Sequence, residues 1–127
     1  MSEFIASTIE CYEEDGVVTI ALGDDPIDPN GYIVITRLDD EDNIYIDEGI
    51  GFQTAQSSHE VANSIDEVIL HSDGLEVVVK QEFIGHCGAG RFFGRFPDEI
   101  NSSKEKVALL RSYLKDIFDG SHVRLIM

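Results

Sequence analysis

The chain has 127 residues, of which 25 are Asp or Glu and 9 are Lys or Arg, so its formal net charge is −16. A hydrophobic fraction of 43% is ordinary for a globular protein and argues against disorder. The length fits a single domain over residues 1–127. The negative charge disfavours nucleic acid and anionic membrane as partners, because both carry the same sign.

The negative charge is concentrated in the first two-thirds of the chain. Residues 1–79 contain 19 acids and a single base, Arg37, whereas residues 80–127 contain 6 acids and 8 bases. The net charges of the two parts are therefore −18 and +2. A field of this strength is expected to speed encounter with a basic partner and to weaken as salt is added.

The sequence has no features of a signal peptide or of a membrane-spanning segment. The N-terminal residues lack a basic start followed by an apolar run, and no apolar stretch approaches the roughly 20 residues that a transmembrane helix needs. Cys11 and Cys87 are the two cysteines, and no CxxC pair occurs. These features predict a cytoplasmic protein in which both thiols are reduced.

The first part of the chain predicts β-hairpins. Residues 4–12 and 17–23 are expected to be strands joined by EEDG, where Gly16 suits a positive φ. The segment DDPIDPN contains two prolines and predicts a loop. Further strands are expected at residues 31–38 and 44–47, with DDEDN as the turn between them.

The middle of the chain continues this pattern. Residues 49–56 predict a short strand that ends in a polar turn. Two apolar runs then flank HSDG, whose Asp73 and Gly74 suit a tight hairpin turn. The glycine-rich GHCGAGRFFGRF predicts a loop that leads into another strand.

One helix is predicted near the C-terminus, over about residues 103–118. Ser102 and Glu105 match the S-x-x-E capping box, and Gly120 suits the end of the helix. The apolar positions at helical spacing are Val107, Leu110, Leu114, Ile117 and Phe118. With a possible strand VRLI after the helix, the predicted fold class is α+β: a mainly antiparallel β-sheet of several hairpins, with this helix packed on one face.

Patterns typical of metal, nucleophile and phosphate sites fit this sequence poorly. An EF-hand register that places Gly31 at the sixth position puts Arg37 at the twelfth, where a glutamate belongs. His86 and Cys87 are adjacent, and adjacent side chains of an extended segment point to opposite faces. We therefore predict no catalytic residue, no cofactor and no metal ion, and a metal-assisted or acid–base hydrolase is the least favoured alternative.

Acidic residues gather in the predicted turns and at the strand ends. The segment from Glu10 to Glu48 contains 13 acids and one base, more than solubility requires, and we interpret it as a partner-binding region. Nearby tyrosines are candidates for close contact, since aromatic residues often dominate interface affinity, whereas Phe52 is expected to be a core residue. The predicted partner-binding residues are Asp24, Asp25, Asp28, Tyr32, Asp39, Asp40, Glu41, Asp42, Tyr45, Asp47 and Glu48.

Two other interpretations of the charges stay open. The acids can form a hydrated rim that keeps the protein soluble and protects edge strands from aggregation. Lys104, Arg111 and Lys115 also line one stripe of the predicted helix. If this stripe contacts the acidic strands of a second copy, the protein is a homodimer or a self-assembling structural protein.

The order of several motifs carries a family resemblance. IALGDDPIDPNGYIVITR is followed by IYIDEG, a polar turn, IDEVILHSDGLEVVV and a closing helix that ends LKDIF, over roughly residues 17–119. This order resembles the immunity protein 10 family of bacterial polymorphic toxin systems, although residues 85–94 and the tail after Gly120 depart from the pattern. The resemblance implies a non-enzymatic immunity protein that binds and blocks a cognate toxin, which we expect to be basic.

Overall fold

The computed structural model of the chain describes residues 1–38, 46–57, 59–101 and 103–127. Over these residues it contains ten strands in two five-stranded sheets, one long helix and two short helices, so the predicted α+β class is confirmed. The strands are β1 Ser2–Ile5, β2 Thr8–Glu14, β3 Val17–Gly23, β4 Tyr32–Leu38, β5 Ile50–Thr54, β6 Val61–Ala62, β7 Ile65–His71, β8 Gly74–Val79, β9 Arg91–Arg95 and β10 Arg124–Ile126. The helices are α1 Ile84–Cys87, α2 Asp98–Asn101 and α3 Lys104–Phe118.

The first sheet, called here the meander sheet, contains β2 to β6 in sequence order, and every neighbouring pair is antiparallel. The β2–β3 turn consists of Asp15 and Gly16, whose φ values are +52° and +79°. Two positive φ angles are typical of the tight type I′ turn, which matches the twist of the flanking strands. The predicted role of Gly16 is confirmed.

The second sheet, called here the mixed sheet, has the strand order β1-β9-β8-β7-β10. Its three central strands are antiparallel, whereas the edge strands β1 and β10 run parallel to β9 and β7. The sequence predicted hairpins throughout, so these two parallel pairings were not anticipated. Neither β1 nor β10 is adjacent in sequence to the strand with which it pairs, and local patterns carry no signal for such pairing.

The prediction of one strand over residues 4–12 was wrong. β1 and β2 belong to different sheets, and the chain passes from one sheet to the other at Ala6 and Ser7. The Ala6 amide donates to the carbonyl of Arg95 at 2.7 Å, and the Ser7 hydroxyl donates to the carbonyl of Asp24 at 2.9 Å. These distant partners fix the break, which the sequence pattern does not reveal.

The prediction of a strand over residues 44–47 was also wrong where the structure describes that segment. Ile46–Gly49 forms one turn of 3-10 helix, while residues 44 and 45 lie outside the described residues. The carboxylate of Asp47 accepts the backbone amide of His122 at 3.0 Å. This bond to the C-terminal segment holds the turn, so a distant contact overrides the local preference for a strand.

A single hydrophobic core lies between the two sheets. The strands alternate as expected, and the inward residues of the meander sheet include Ile20, Ile35 and Phe52, each 0% exposed. Phe52 contacts Phe92 of the mixed sheet edge to face, with ring centroids 5.4 Å apart. The expectation that Phe52 belongs to the core is confirmed.

Helix α3 covers part of the core beside the mixed sheet and contacts β2, β3 and β10. Its buried residues are Leu110, Leu114, Ile117 and Phe118, as the periodicity predicted, whereas Val107 of the predicted apolar face is half-buried. The N-cap is Ser103, whose side chain accepts the amide of Lys106. The cap therefore lies one residue later than the predicted Ser102, which is outside the described residues, and Glu105 does not occupy the third position of a capping box.

The β7–β8 hairpin was predicted correctly, but its glycine has a different role from the expected one. Ser72 and Asp73 form the turn, and Gly74 is the first residue of β8. A Cβ at Gly74 would lie 2.5 Å from the carbonyl oxygen of Gly94 and 2.6 Å from the ring of Phe93. Gly74 therefore permits close approach of β9, and turn geometry does not require it.

Candidate partner-binding surface

The outward side of the meander sheet forms the candidate site, and it is called here the acidic face. Strand register and alternation place on this side the residues that do not point into the core. They are Thr8, Glu10, Tyr12 and Glu14 of β2, Val17, Thr19, Ala21 and Gly23 of β3, Tyr32, Val34, Thr36 and Leu38 of β4, and Gly51 and Gln53 of β5.

The centre of the acidic face is mainly apolar and partly accessible to solvent, except at Thr19, which is 5% exposed. Val17, Ala21 and Val34 are half-buried. Tyr12 is 42% exposed and Leu38 is 44% exposed at the margins. Apolar side chains that stay open to water on a sheet face are typical of a surface that binds another molecule.

Carboxylates border this apolar centre. Glu10 and Glu14 are exposed on β2, and neither has an ion-pair or hydrogen-bond partner among the described residues. At the opposite edge of the acidic face, the carboxylate of Glu60 accepts a hydrogen bond from the hydroxyl of Thr36 at 2.6 Å. Glu60 also lies over Gly51, and a Cβ at Gly51 would clash with its carboxylate. Gly51 therefore provides the space that keeps this third carboxylate on the face.

No base offsets these charges on the strands that form the acidic face. Arg37 is the one Lys or Arg in β2 to β6, and its register places it on the inward side, opposite Val18 and Ile50. Its guanidinium donates to the carbonyls of Asp116, Ile117 and Asp119 at 2.8–3.0 Å. A cation at a helix C-terminus stabilises the helix, so this base acts within the fold.

The loop between β3 and β4, residues 24–31, bends over one end of the acidic face and is called here the proline loop. The carboxylate of Asp24 shapes it by accepting the amides of Asn30 and Gly31 at 2.9 and 3.0 Å. Asp25 accepts the amides of Ile27 and Asp28 through Oδ1. These amide hydrogen bonds lower the pKa of Asp25, so it stays ionised at mildly acidic pH.

A groove of about 270 Å³ lies between the proline loop and the sheet. Pro26, Pro29 and Tyr32 form its rim and wall, while Ala21 and Val34 lie along its floor. Glu10 and Asp25 add the carboxylates that line the same groove. The arrangement provides an apolar trough with negative charge, which suits a cationic side chain that carries an aliphatic stem.

The outward side of the mixed sheet is different, and it is called here the paired face. Glu76 lies near its centre and accepts hydrogen bonds from His71 at 2.8 Å and from Arg91. Arg95 pairs with Glu3 at 2.6 Å and stacks over the ring of Phe93. Arg124 pairs with Glu67 at 3.2 Å. Acids and bases therefore neutralise each other on this side.

The hydrogen bonds on the paired face also lower the pKa of Glu76. The hydrogen bond from His71 is the main influence that lowers the pKa of Glu76, and Arg91 adds to it, while partial burial opposes both. Glu76 is thus held as a carboxylate between two donors. The acidic face contains no comparable arrangement among the described residues, because no base lies on it.

The structure brings together four of the predicted partner-binding residues. Asp24, Asp25, Asp28 and Tyr32 all lie in or beside the proline loop, with Asp28 exposed and Tyr32 in the groove wall. Asp24 is occupied by the loop amides described above, so its contribution to an interface is through charge.

Other predicted residues lie elsewhere. Asp47 is 8% exposed and accepts the amide of His122, so it acts inside the fold, whereas its neighbour Glu48 is exposed. Five of the predicted residues are outside the described residues, and their proposed role stays a prediction: Asp39, Asp40, Glu41, Asp42 and Tyr45.

The sequence reasoning missed Glu10, Tyr12 and Glu14 as individual site residues. They were counted in the overall charge but were not assigned to a face. A signal was present over residues 8–12, because Thr8, Glu10 and Tyr12 alternate with the apolar Ile9 and Cys11, although Glu13 breaks the pattern. Alternation of this kind separates an outward face from an inward one.

Neither a metal cluster nor a membrane helix is seen in the described ranges. Over those ranges, no group of three or more His, Cys, Asp or Glu side chains is placed to hold a metal ion. In the same part of the chain, no helix has both the length and the apolar character needed to cross a membrane.

The comparisons with known proteins leave the acidic face as the main guide to function. No protein-family model matches the chain, and no curated protein matches it significantly.

Proposed function

We propose that this protein binds a basic protein partner through the acidic face and, following its resemblance to the immunity protein 10 family, that this partner is a cognate bacterial toxin which it blocks. One observation carries the proposal: an open apolar sheet centre is bordered by carboxylates, and the strands that form it hold no base on that side. The protein itself performs no chemistry in this account.

The two parts of the acidic face serve different stages of binding. The carboxylates of Glu10, Glu14 and Glu60 attract a basic surface over long range, and this increases the association rate. Once the partner is in contact, Tyr12 and the half-buried valines lose their exposure to water. Burial of such side chains slows dissociation and supplies most of the affinity.

A fast association rate suits an immunity protein, because the toxin must be captured before it damages the producing cell. Electrostatic attraction can raise association rates by about 10- to 1,000-fold at low salt. The paired face contributes a weaker field, since its acids already contact bases. We therefore assign capture of the toxin to the acidic face.

The test uses the toxic C-terminal domain of the effector encoded beside this gene, with association followed by stopped-flow fluorescence at several salt concentrations. A triple variant Glu10→Gln, Glu14→Gln, Glu60→Gln is compared with a control triple Glu3→Gln, Glu67→Gln, Glu76→Gln. Both variants lose three negative charges, but they lose them from opposite faces.

We expect the acidic-face triple to slow association about tenfold at low salt and to flatten its salt dependence, while the control changes the rate by less than about twofold. Equal effects of the two triples, or none from either, would overturn the assignment of the acidic face. Absence of any complex with the neighbouring effector domain would overturn the toxin as partner.

Self-assembly of this protein is an alternative function, and the exposed bases of helix α3 favour it. Lys104, Arg111 and Lys115 are exposed on α3, and none has an ion-pair partner among the described residues. A second copy could therefore offer this stripe to the acidic face. Size-exclusion chromatography at about 20 and 500 mM salt separates the cases, since ionic association between copies would weaken as screening increases.

A further inference from the structure

The groove beside the proline loop has the size and walls of a pocket for one side chain. Its volume of about 270 Å³ is below the roughly 300–1,000 Å³ typical of small-molecule sites. Ala21 and Val34 give it an apolar floor, and Pro26 and Pro29 close one side. An aliphatic stem can lie along these surfaces without exposing unpaired polar groups.

Two carboxylates line the groove and remain available. Glu10 is exposed and has no hydrogen-bond partner among the described residues. Asp25 uses Oδ1 to accept the amides of Ile27 and Asp28, and these bonds fix its orientation while Oδ2 accepts none of the described hydrogen bonds. The nearest strands carry no base on this side.

Tyr32 adds an aromatic wall to the same groove. A guanidinium is planar, donates from several directions and stacks well on an aromatic ring, whereas a lysine ammonium is a compact charge. The combination of two carboxylates, one aromatic ring and an apolar floor therefore favours arginine over lysine.

We infer that the groove formed by Glu10, Asp25 and Tyr32 receives an arginine side chain of the partner. This inference rests on the proposed function for its biological setting, but the pocket chemistry is independent of which protein supplies the arginine. The side chain would enter between the proline loop and β2, with its guanidinium at the carboxylates and its stem over Ala21 and Val34.

The probe is N-acetylarginine N-methylamide, titrated into the whole protein and followed by amide NMR shifts. The matched probe is the citrulline compound, which has nearly the same shape but no charge. We expect the arginine compound to shift the amides of Ala21, Gly23, Tyr32 and Val34, and the citrulline compound to leave them unchanged. Equal shifts from both probes, or arginine shifts spread over both faces, would overturn the inference.

Glu10→Gln and Glu14→Gln provide matched variants, because both change one exposed carboxylate on the same side of β2. Only Glu10 lines the groove. Glu10→Gln should weaken arginine binding about three- to fivefold, and Glu14→Gln by less than about twofold. Equal weakening would mean that the arginine responds to the general field, and the groove would then not be its site.

Ala21→Leu fills the groove without changing any charge. It should abolish the arginine shifts at Gly23 and Tyr32 while the thermal unfolding midpoint confirms that the protein is folded. If this variant does not fold, the comparison of the two probes still decides the inference without any mutation. Arginine shifts that persist in folded Ala21→Leu would contradict the assigned pocket.

The toxin kinetics separate this inference from the proposed function. If Ala21→Leu binds the toxin as fast and as tightly as the unmodified protein, the groove inference fails and the function stands. If the arginine probe occupies the groove but no complex with the toxin forms, the proposed function fails and the groove stands.

Discussion

The two outward sheet faces of this protein are built on the same framework but manage charge in opposite ways. On the paired face, Glu76 and Glu3 contact arginines on neighbouring strands, so the charges cancel over a few ångströms. On the acidic face, Glu10 and Glu14 have no such neighbours among the described residues. The difference shows that the two faces, among the described residues, differ in how far their carboxylates are neutralised.

Stability cannot explain the unpaired carboxylates, because like charges on one face repel each other and give nothing to the fold. On the paired face, the same chain places arginines beside its carboxylates, so unpaired acids are not a general feature of its surface. A surface that instead keeps its acids unpaired and leaves valines open has the composition expected of a binding surface. Four predictions test this contrast between the two faces.

The largest effect is expected from the toxin experiment, in which the acidic-face triple slows association about tenfold at low salt. The reason is that long-range attraction depends on uncompensated charge, and among the described residues Glu10 and Glu14 are uncompensated whereas Glu3, Glu67 and Glu76 are paired with arginines. The paired-face triple is its control, and an equal loss of rate in the control would remove the contrast between the faces.

Arg37→Met should lower the free energy of unfolding by about 2 kcal/mol, because three helix-end carbonyls lose a charged donor. Urea unfolding measures the change. The matched variant is Arg124→Met on the paired face, whose side chain is 74% exposed and whose loss should cost less than about 1 kcal/mol. Similar losses for both arginines would contradict an internal, helix-holding role for Arg37.

Glu76→Gln should lower the free energy of unfolding by about 1 kcal/mol at pH 7, since it removes the charge that His71 and Arg91 contact. The pKa of Glu76 in the folded protein lies below its ordinary value of 4.5. Its contribution is therefore complete above that ordinary value and is lost as pH falls through the lowered pKa. The two proteins should therefore approach each other in stability as pH falls below 4.5, which urea unfolding at several pH values would measure.

Glu14→Gln is the control for that experiment, because it removes the same charge from a carboxylate without a partner in the described chain. Its stability at pH 7 should stay within about 0.5 kcal/mol of the unmodified protein. A Glu76→Gln deficit that does not shrink at any pH below 4.5 would contradict the pairing of Glu76.

The smallest effect concerns salt. Raising NaCl from about 10 to about 200 mM should stabilise the unmodified protein by about 0.5 kcal/mol, because screening relieves repulsion among unpaired acids. The double variant Glu10→Gln, Glu14→Gln should gain less, whereas Glu3→Gln, Glu67→Gln should gain at least as much as the unmodified protein. Equal gains in stability for the unmodified protein and both double variants would mean that the repulsion does not arise from Glu10 and Glu14.

Much of the fold was predictable from local pattern. Residues 17–23 and the β7–β8 hairpin were placed well because apolar alternation and turn residues coincide there, and α3 was placed well because its apolar spacing is regular. The division into two sheets was not predictable. It depends on hydrogen bonds such as that from Ala6 to Arg95, which lies far away in sequence.

The candidate site was also only partly predictable, because its geometry depends on contacts between residues that are distant in sequence. Composition placed most of the acids in the first two-thirds of the chain, and the proline loop was predicted from its residues. Composition could not reveal that Asp47 is buried under the C-terminal segment, or that Glu10 and Asp25 line one groove. Both facts depend on which strands pair and on how a loop bends over them.

The most direct test of the central claim maps the electrostatic potential near each backbone amide. Relaxation enhancement of amide protons is measured with a cationic and with an anionic soluble paramagnetic probe of otherwise identical structure. The account predicts strong preference for the cationic probe at outward positions of β2 to β4, such as Glu10 and Val34, and little preference at Glu76 and Val78 of β8. Equal preference on the two faces would contradict it.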